Sequence, residues 1–142
     1  MKNETKITAR YAETDRMGVI HHSVYAVWFE VGRTNFIKMM GVTYSQLEKD
    51  GIMLPLSELQ CTYYRPVNYE DEVVIETAVQ KITFSRIVFH YRVLLDGELM
   101  AEGFTTHAFV DSKTFRPMNG KKFHPELFAK LAAAQEKQPE ES

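Results

Sequence analysis

Residues 24–40 constrain the fold of this chain more than any other segment. Their apolar positions follow a helical repeat, yet they cover well over one stripe of the helix surface. A helix that is apolar on most sides is normally buried inside its domain. At 1.5 Å per residue it would span roughly 25 Å, the width of a small domain. Ser23 is the predicted N-cap and Gly41 the predicted C-cap, and the rest of the chain must wrap around this helix.

Strand-like patterns on both sides of the helix can form that wrapping. Residues 5–11 alternate strictly, with Ile7, Ala9 and Tyr11 on one face. After a short predicted helix at 43–50, strands are predicted at 54–64, 72–82, 86–95 and 98–111. The last two are joined by Asp96-Gly97, a strong hairpin-turn signal.

A final helix is predicted over residues 125–135, with Pro125 at its first position. The polar tail at 136–142 is expected to fray. The order of elements predicts one α+β domain over residues 1–142, in which an antiparallel sheet surrounds a long central helix.

The outer side of such a sheet would still be apolar. It carries the side chains of Val74, Val88, Leu94 and Phe104. Large exposed apolar patches usually mark interfaces, so the sequence predicts a homodimer or a homotetramer.

Composition excludes several classes of function. The formal net charge of -2 leaves no basic surplus for binding nucleic acid. The N-terminal residues contain no long apolar run, so neither a signal peptide nor a membrane span is expected. The single cysteine, Cys61, cannot form an internal disulfide and fits a reducing compartment. We expect a cytoplasmic protein without a metal site, because no His, Cys and Asp spacing resembles a zinc site.

The loop before the central helix holds the most informative motif. Residues 11–25 read Y-A-E-T-D-R-M-G-V-I-H-H-S-V-Y, with Asp15, Gly18, His22 and Tyr25 at defined spacings. This segment resembles the hot-dog thioesterases of the 4-hydroxybenzoyl-CoA type, whose loop reads Asp-x-x-Gly-x-x-(Tyr or His)-(His, Asn or Tyr)-x-x-Tyr. Weaker similarity extends over nearly the whole chain. The resemblance implies a hot-dog fold and hydrolysis of an acyl thioester to a free acid and CoA. It implies no cofactor, since CoA is part of the substrate.

The resemblance also implies a role for each residue of the motif. Asp15 corresponds to the catalytic aspartate, acting as general base or as nucleophile. His22 corresponds to the N-terminus of the hot-dog helix, where a backbone N–H polarises the thioester carbonyl. Unpaired N–H groups and a partial positive charge at a helix N-terminus stabilise an oxyanion. The His22 side chain could orient Asp15, contact substrate or simply begin the helix. Gly18 would allow a backbone geometry or close approach that a side chain blocks.

Glu30 is the rival carboxylate. Another branch of hot-dog thioesterases places its catalytic acid on the central helix, where Glu30 lies. However, Glu30 is three residues before Arg33, a spacing that favours a structural ion pair. Because the motif around Asp15 is the more complete, we predict a structural role for Glu30.

A CoA substrate also needs partners for its phosphates and its acyl group. Basic and hydroxyl side chains can hold phosphate, and the predicted phosphate-binding residues are Ser85, Arg86, Lys113 and Arg116, with Lys121 and Lys122 as further candidates. The acyl group is expected in a mostly apolar pocket, for which Tyr25 is a candidate wall.

Two other functions stay open at this level. A hot-dog hydratase or dehydratase acting on enoyl or hydroxyacyl thioesters also uses Asp and His, although in a different spacing. A non-catalytic module that binds acyl-CoA or acyl carrier protein could share the fold, although the intact Asp15 loop argues against it. The sequence determines neither the acyl group nor the thiol carrier, CoA or acyl carrier protein.

Overall fold

The chain folds around one long helix in a computed structural model that describes residues 1–136. The helices of this part are α1 (Val24–Met39), α2 (Tyr44–Lys49), α3 (Gly120–Phe123) and α4 (Pro125–Ala134). The strands are β1 (Lys2–Thr8), β2 (Ile52–Met53), β3 (Leu56–Tyr63), β4 (Glu72–Ile82), β5 (Arg86–Leu95), β6 (Glu98–Ala108) and β7 (Val110–Asp111). Of the tail predicted at 136–142, only Glu136 lies within the described residues. Its backbone N–H donates to the Val79 carbonyl at 2.9 Å.

The main sheet is antiparallel, with the strand order β1-β4-β5-β6-β3. β2 and β7 pair separately as a short ribbon. The predicted ranges 72–82 and 86–95 agree with the bounds of β4 and β5. β1 forms one edge of the sheet and β3 the other.

α1 lies across the inner face of this sheet and is buried along most of its length. Its buried side chains are Tyr25, Trp28, Phe29, Phe36 and Ile37. The Phe29 ring stacks on Tyr91 of β5, with ring centroids 4.4 Å apart. Two glycines allow the close approach: a Cβ on Gly103 of β6 would lie 2.5 Å from the Phe29 ring, and one on Gly32 would collide with Thr77 of β4. This packing confirms the predicted α+β architecture of an antiparallel sheet around a central helix.

The first strand lies earlier than the predicted range 5–11. β1 ends at Thr8, and the Ala9 N–H makes a last hydrogen bond to the Asp71 carbonyl at 2.8 Å. The chain then leaves the sheet through a 3-10 turn at Tyr11–Glu13, because it must cross to the helix layer. Tyr11 is therefore 75% exposed and does not share the buried face of Ala9.

Other predicted boundaries also change where the chain bends. The range 98–111 divides into β6 and β7, because β7 pairs with β2 away from the main sheet. For the same reason the strand predicted at 54–64 begins only at Leu56. α3 was not predicted, and four residues are too few for a periodic signal. Ser23 occupies the N-cap position, but its side chain does not cap the helix.

The outer face of the sheet differs from the predicted apolar surface. The four residues concerned, Val74, Val88, Leu94 and Phe104, are each half-buried among polar neighbours. Glu76 lies 3.2 Å from Lys2 and 3.3 Å from Arg92, and His90 lies 2.6 Å from Glu102. Exposed apolar side chains on α1 and β3 include Val27, Val31, Leu56, Leu59 and Tyr63, and others lie in loops.

Two classes of feature do not occur among residues 1–136. No helix there is both long enough and apolar enough to cross a membrane. No group of three or more His, Cys, Asp or Glu side chains there is arranged to hold a metal ion.

Candidate active site

The segment between β1 and α1 is a hairpin-like loop with one defined shape. The Asp15 N–H donates to the Val19 carbonyl at 2.8 Å. Gly18 lies at the turn with a φ of 82°, a left-handed conformation that favours glycine. The Ile20 N–H donates to the Val67 carbonyl at 2.8 Å and anchors the loop to the segment before β4. The loop therefore holds Asp15 at a fixed place beside α1.

The half-buried carboxylate of Asp15 is held through one of its two oxygens. Oδ1 accepts the N–H of Met17 at 2.8 Å and that of Val19 at 3.4 Å, as in an Asx turn. Oδ2 accepts no hydrogen bond from the part of the chain that the structure describes. This oxygen is free to take a proton from water or to attack a carbonyl carbon.

α1 begins just beyond this loop and offers unpaired N–H groups in its first turn. The His21 ring serves one of them, since its Nδ1 accepts the Ser23 N–H at 3.1 Å. The next ring, His22, is exposed and stacks on His21 with centroids 4.1 Å apart. Within residues 1–136 the His22 N–H has no acceptor. It is thus a free donor at the positive end of the helix dipole.

Asp15 and His22 line the same cavity, which has a volume of about 320 Å³. Its other walls come from the loop, α1 and the end of β3, and are formed by Met17, Val19, Ile20, Tyr25, Tyr63, Tyr64, Arg65 and Pro66. A cavity of about 340 Å³ also lies on the outer face of the sheet, around Phe104, but it has no helix N-terminus. Of these two cavities, only the first combines a carboxylate with an unpaired N–H just before α1. Those two groups can activate water and stabilise an oxyanion.

The chain is similar to known thioesterases over most of its length. Residues 9–136 match the family model of the Thioesterase-like superfamily. The Bacillus subtilis protein named "Putative acyl-CoA thioesterase YneP" is 35% identical over 125 residues, 87% of this chain and 91% of that protein. The crystal structure of a DHNA-CoA thioesterase from Staphylococcus aureus has a TM-score of 0.87 at 38% identity, covering 93% of this chain and 91% of the other. A hypothetical protein from Thermus thermophilus, TT1821, has a TM-score of 0.86 at 34% identity, covering 96% and 100%.

The chain belongs to the hot-dog thioesterase family. This confirms the family, the hot-dog fold and the assignment to the thioester hydrolases that the segment 11–25 implied. The roles of Asp15 and His22 within the hot-dog site stay predictions.

Tyr63 and Arg65 are polar walls of this cavity to which the sequence assigned no role in the site. The Tyr63 hydroxyl donates to the His22 carbonyl at 2.9 Å, and its ring meets Tyr25 edge-on at 4.9 Å. Partial burial raises the pKa of both phenols to about 12, and the neighbouring Cys61 adds to the rise, so they keep their protons at neutral pH. Arg65 forms the rim and pairs with Glu98 at 2.9 Å. The Arg65-Pro66 pair at the end of the strand pattern is the signal that could have indicated this wall.

The predicted phosphate-binding residues lie at the opposite end of the sheet. Val19, in the Asp15 loop, bridges to Asn68 just before β4 begins. Ser85 and Arg86 follow the other end of β4, a strand of 11 residues that spans roughly 35 Å at 3.2–3.4 Å per residue. Within one chain, Asp15 is therefore separated from Ser85 and Arg86 by the length of the sheet.

Lys113 and Arg116 lie near that far end too. The Ser85 carbonyl accepts the Phe109 N–H at 3.1 Å, directly before β7 and the loop that carries both basic residues. α3, with Lys121 and Lys122, is tied to the same turn, since the Gly120 N–H donates to the Phe84 carbonyl at 2.8 Å. The structure thus forms two clusters: the cavity lined by Asp15, His22 and Tyr25, and a basic end with Ser85, Arg86, Lys113 and Arg116. Gly18 lies at the exposed turn of the Asp15 loop and does not line the cavity.

Glu30 lies outside the cavity and is exposed. The predicted ion pair with Arg33 is wrong, because none joins these residues in the described chain. Arg33 instead approaches two phenols, Tyr44 and Tyr91. Burial raises the pKa of both, and the guanidinium of Arg33 opposes that rise.

Proposed function

We propose that this protein hydrolyses an acyl-CoA thioester to a free carboxylic acid and CoA. The observation that carries the proposal is the placement of the Asp15 carboxylate and the unpaired His22 N–H in the wall of one cavity. The printed names of the similar proteins, an acyl-CoA thioesterase and a DHNA-CoA thioesterase, support the same reaction. The reaction needs water as its second reactant and no cofactor, since CoA belongs to the substrate.

In the proposed mechanism the thioester carbonyl oxygen accepts the His22 N–H. Negative charge that develops on this oxygen is stabilised by the N–H and by the helix dipole. Asp15 Oδ2 then removes a proton from a water molecule that attacks the carbonyl carbon. The tetrahedral intermediate collapses, the C–S bond breaks, and CoA leaves as a thiolate that takes up a proton.

Direct attack by Asp15 is the second route. Oδ2 would form a mixed anhydride with the acyl group and expel CoA, and water would then hydrolyse the anhydride. A single turnover in ¹⁸O-labelled water detects the anhydride route when water attacks the Asp15 carbonyl of the anhydride. General-base catalysis places ¹⁸O in the first acid released. Water attack on the Asp15 carbonyl of an anhydride would release unlabelled acid and leave the label in the protein.

We propose that a second copy of the chain completes the site. β3 has a free edge and exposes Leu56, Leu59 and Tyr63, and a free edge strand of this kind is a template for pairing. Antiparallel pairing of two β3 strands would put the Leu56 end of one copy beside the Tyr63 end of the other. In each chain Leu56 is opposite His107 and Arg86 is opposite Ala108.

That pairing would bring the basic end of one copy toward the Asp15 cavity of its partner, since Tyr63 is part of the cavity wall. It supports phosphate-binding roles for Ser85, Arg86, Lys113 and Arg116, with the substrate lying across the interface. The assembly would be a homodimer, or a homotetramer built from two such dimers. We place it in the cytoplasm, a reducing compartment that suits the free thiol of Cys61.

A thiol-release assay tests the proposed reaction. Wild type and Asp15→Asn are compared on straight-chain acyl-CoAs of increasing length, on aromatic acyl-CoAs and on acyl carrier protein thioesters. We expect Asp15→Asn to lower turnover by about a hundredfold or more, the scale of losing a general base, while its melting temperature is kept. Glu30→Gln is the paired control and should keep wild-type turnover, because its side chain is exposed and outside the cavity.

Near-wild-type hydrolysis by folded Asp15→Asn would remove Asp15 from the mechanism. If Glu30→Gln were the stable but inactive variant, the two assignments would have to be exchanged. Failure of the wild type to release thiol from any substrate would contradict the proposed activity itself.

A further inference from the structure

A second carboxylate, Glu13, connects the Asp15 loop to α1. Its side chain is only 8% exposed, and both of its oxygens accept hydrogen bonds. Oε1 accepts the Arg10 N–H at 2.8 Å and lies 3.5 Å from Arg10 Nε. Oε2 accepts the indole Nε1–H of Trp28 at 3.2 Å. A buried carboxyl group is costly unless such donors satisfy it, so this site favours a side chain with two acceptor oxygens.

The main chain of Glu13 closes the loop from the other side. Its carbonyl accepts the His21 N–H at 2.8 Å. Glu13 is two residues before Asp15, and His21 is the residue before His22. Trp28 is 2% exposed and packs on Tyr25, with ring centroids 5.2 Å apart. One residue therefore contacts the start of the loop, the end of the loop and the buried face of the helix.

We infer that Glu13 is a positioning residue that sets the separation between the Asp15 carboxylate and the His22 N–H. The inference rests on the function proposed above. Glu13 does not line the cavity, so it acts through the loop and not on the substrate. Both reacting groups are attached to segments that Glu13 holds, and a small displacement of one relative to the other costs rate steeply.

The test uses Glu13→Gln, Trp28→Phe and the double variant. Glutamine has one acceptor oxygen, so either the Arg10 N–H or the indole N–H loses its partner. Phenylalanine at position 28 removes the indole donor and leaves the carboxylate in place. We expect kcat to fall about tenfold or more in each single variant, as for a modest misplacement, with KM little changed. The double variant should lose little more than the worse single variant, because both remove the same contact.

Glu76→Gln is the matched control. The Glu76 side chain is 12% exposed and forms ion pairs with Lys2 and Arg92, but on the outer face of the sheet. Losing it should lower the melting temperature without lowering kcat. A merely structural role for Glu13 predicts the same outcome for Glu13→Gln. The deciding measurement is therefore kcat per folded protein, with the folded fraction taken from near-UV circular dichroism.

Wild-type kcat in folded Glu13→Gln would overturn the inference. If Glu13→Gln does not fold, Trp28→Phe decides alone, and wild-type kcat there would overturn it equally. Asp15→Asn, measured in parallel, distinguishes failure of the proposed mechanism from failure of the positioning role. An active Asp15→Asn would remove both the mechanism and the positioning role. An inactive Asp15→Asn beside a fully active Glu13→Gln would remove the positioning role alone.

Discussion

Three carboxylates around the start of α1 differ in what surrounds them. Glu13 is buried and accepts the Trp28 indole N–H, while Asp15 is half-buried with one oxygen unengaged. Glu30 is exposed, five residues after Tyr25 and two after Trp28, on a different side of α1. Both oxygens of Glu13 are engaged by donors, and Glu30 lies outside the cavity that His22 lines. Asp15 alone of the three combines a free oxygen with a nearby helix N-terminus.

His107 on β6 is a buried histidine that the proposed reaction does not use. It is 1% exposed; its Nδ1 lies 3.0 Å from the Leu54 carbonyl and its Nε2 lies 2.9 Å from Thr105 Oγ1. A carbonyl only accepts, so Nδ1 carries a proton. Burial lowers the pKa of His107 to about 4, with a further contribution from Arg33, although the bond to Leu54 opposes this.

The lowered pKa predicts a loss of stability in mild acid. Between pH 6.5 and about 4, His107 binds a proton in the unfolded chain but not in the folded chain. The free energy of unfolding should therefore fall as pH falls through this window, by at most about 1.4 kcal/mol per pH unit from this group. Urea denaturation at several pH values measures the slope. His107→Gln should show a shallower slope, and an unchanged slope would contradict the assignment.

At the scale of elements, the contact between α1 and β6 depends on Gly103, a residue of β6 that has no side chain. The Phe29 ring occupies the space above Gly103, and the backbone carbonyl of Gln60 borders the same space. β6 can therefore approach both the helix and β3 only with glycine at this position. The same layer includes the stacked pair Phe29 and Tyr91, so the spacing of helix and sheet is set locally by these aromatic rings.

Gly103→Ala should destabilise the fold. The added Cβ would lie 2.5 Å from both the Phe29 ring and the Gln60 carbonyl oxygen, and overpacking typically costs about 1–3 kcal/mol. Chemical denaturation gives the loss directly. Combining the change with Phe29→Leu should cost less than the sum of the two single variants, because a smaller side chain relieves part of the clash. Strict additivity would show that the ring is not the obstacle.

At the scale of the whole molecule, the two sheet edges differ. β1 carries Lys2, Glu4 and Lys6 along its exposed positions, and charges of this kind protect an edge against pairing. β3 instead exposes Leu59 and Tyr63 on the side that faces the helix layer, since their partners on β6 are buried. The exposed side of α1, with Val27 and Val31, adds to the apolar surface outside the sheet. The asymmetry favours β3 as the interface with a second copy.

Leu59→Lys should therefore dissociate the proposed assembly. Leu59 is 40% exposed in one chain, and a lysine there would be brought into an apolar interface. Analytical ultracentrifugation should show a monomer, with thiol release lost at concentrations where the wild type is associated and active. Met39→Lys is the matched control, because Met39 is 42% exposed near β1, at the opposite edge. An associated and active Leu59→Lys would place the interface elsewhere.

Features that depend on neighbours along the chain could be predicted from the sequence alone. Burial on one face leaves a period of two, so β4 and β5 could be located to the residue. The long apolar helix and the loop motif with Asp15, Gly18 and His22 are likewise contiguous features. Their contiguity is also why the amino-acid sequence was sufficient to infer the family.

Features that depend on contacts between distant segments could be identified only in the folded structure. The bond from Trp28 to Glu13 joins residues 15 positions apart, and the bond from Tyr63 to His22 joins residues 41 apart. No local period encodes such pairs. The basic end is separated from Asp15 because β4 runs along the sheet from one to the other. Arg33 turns inward because the phenols of Tyr44 and Tyr91 lie there. The surroundings of these side chains are determined by packing in three dimensions, which a linear pattern does not contain.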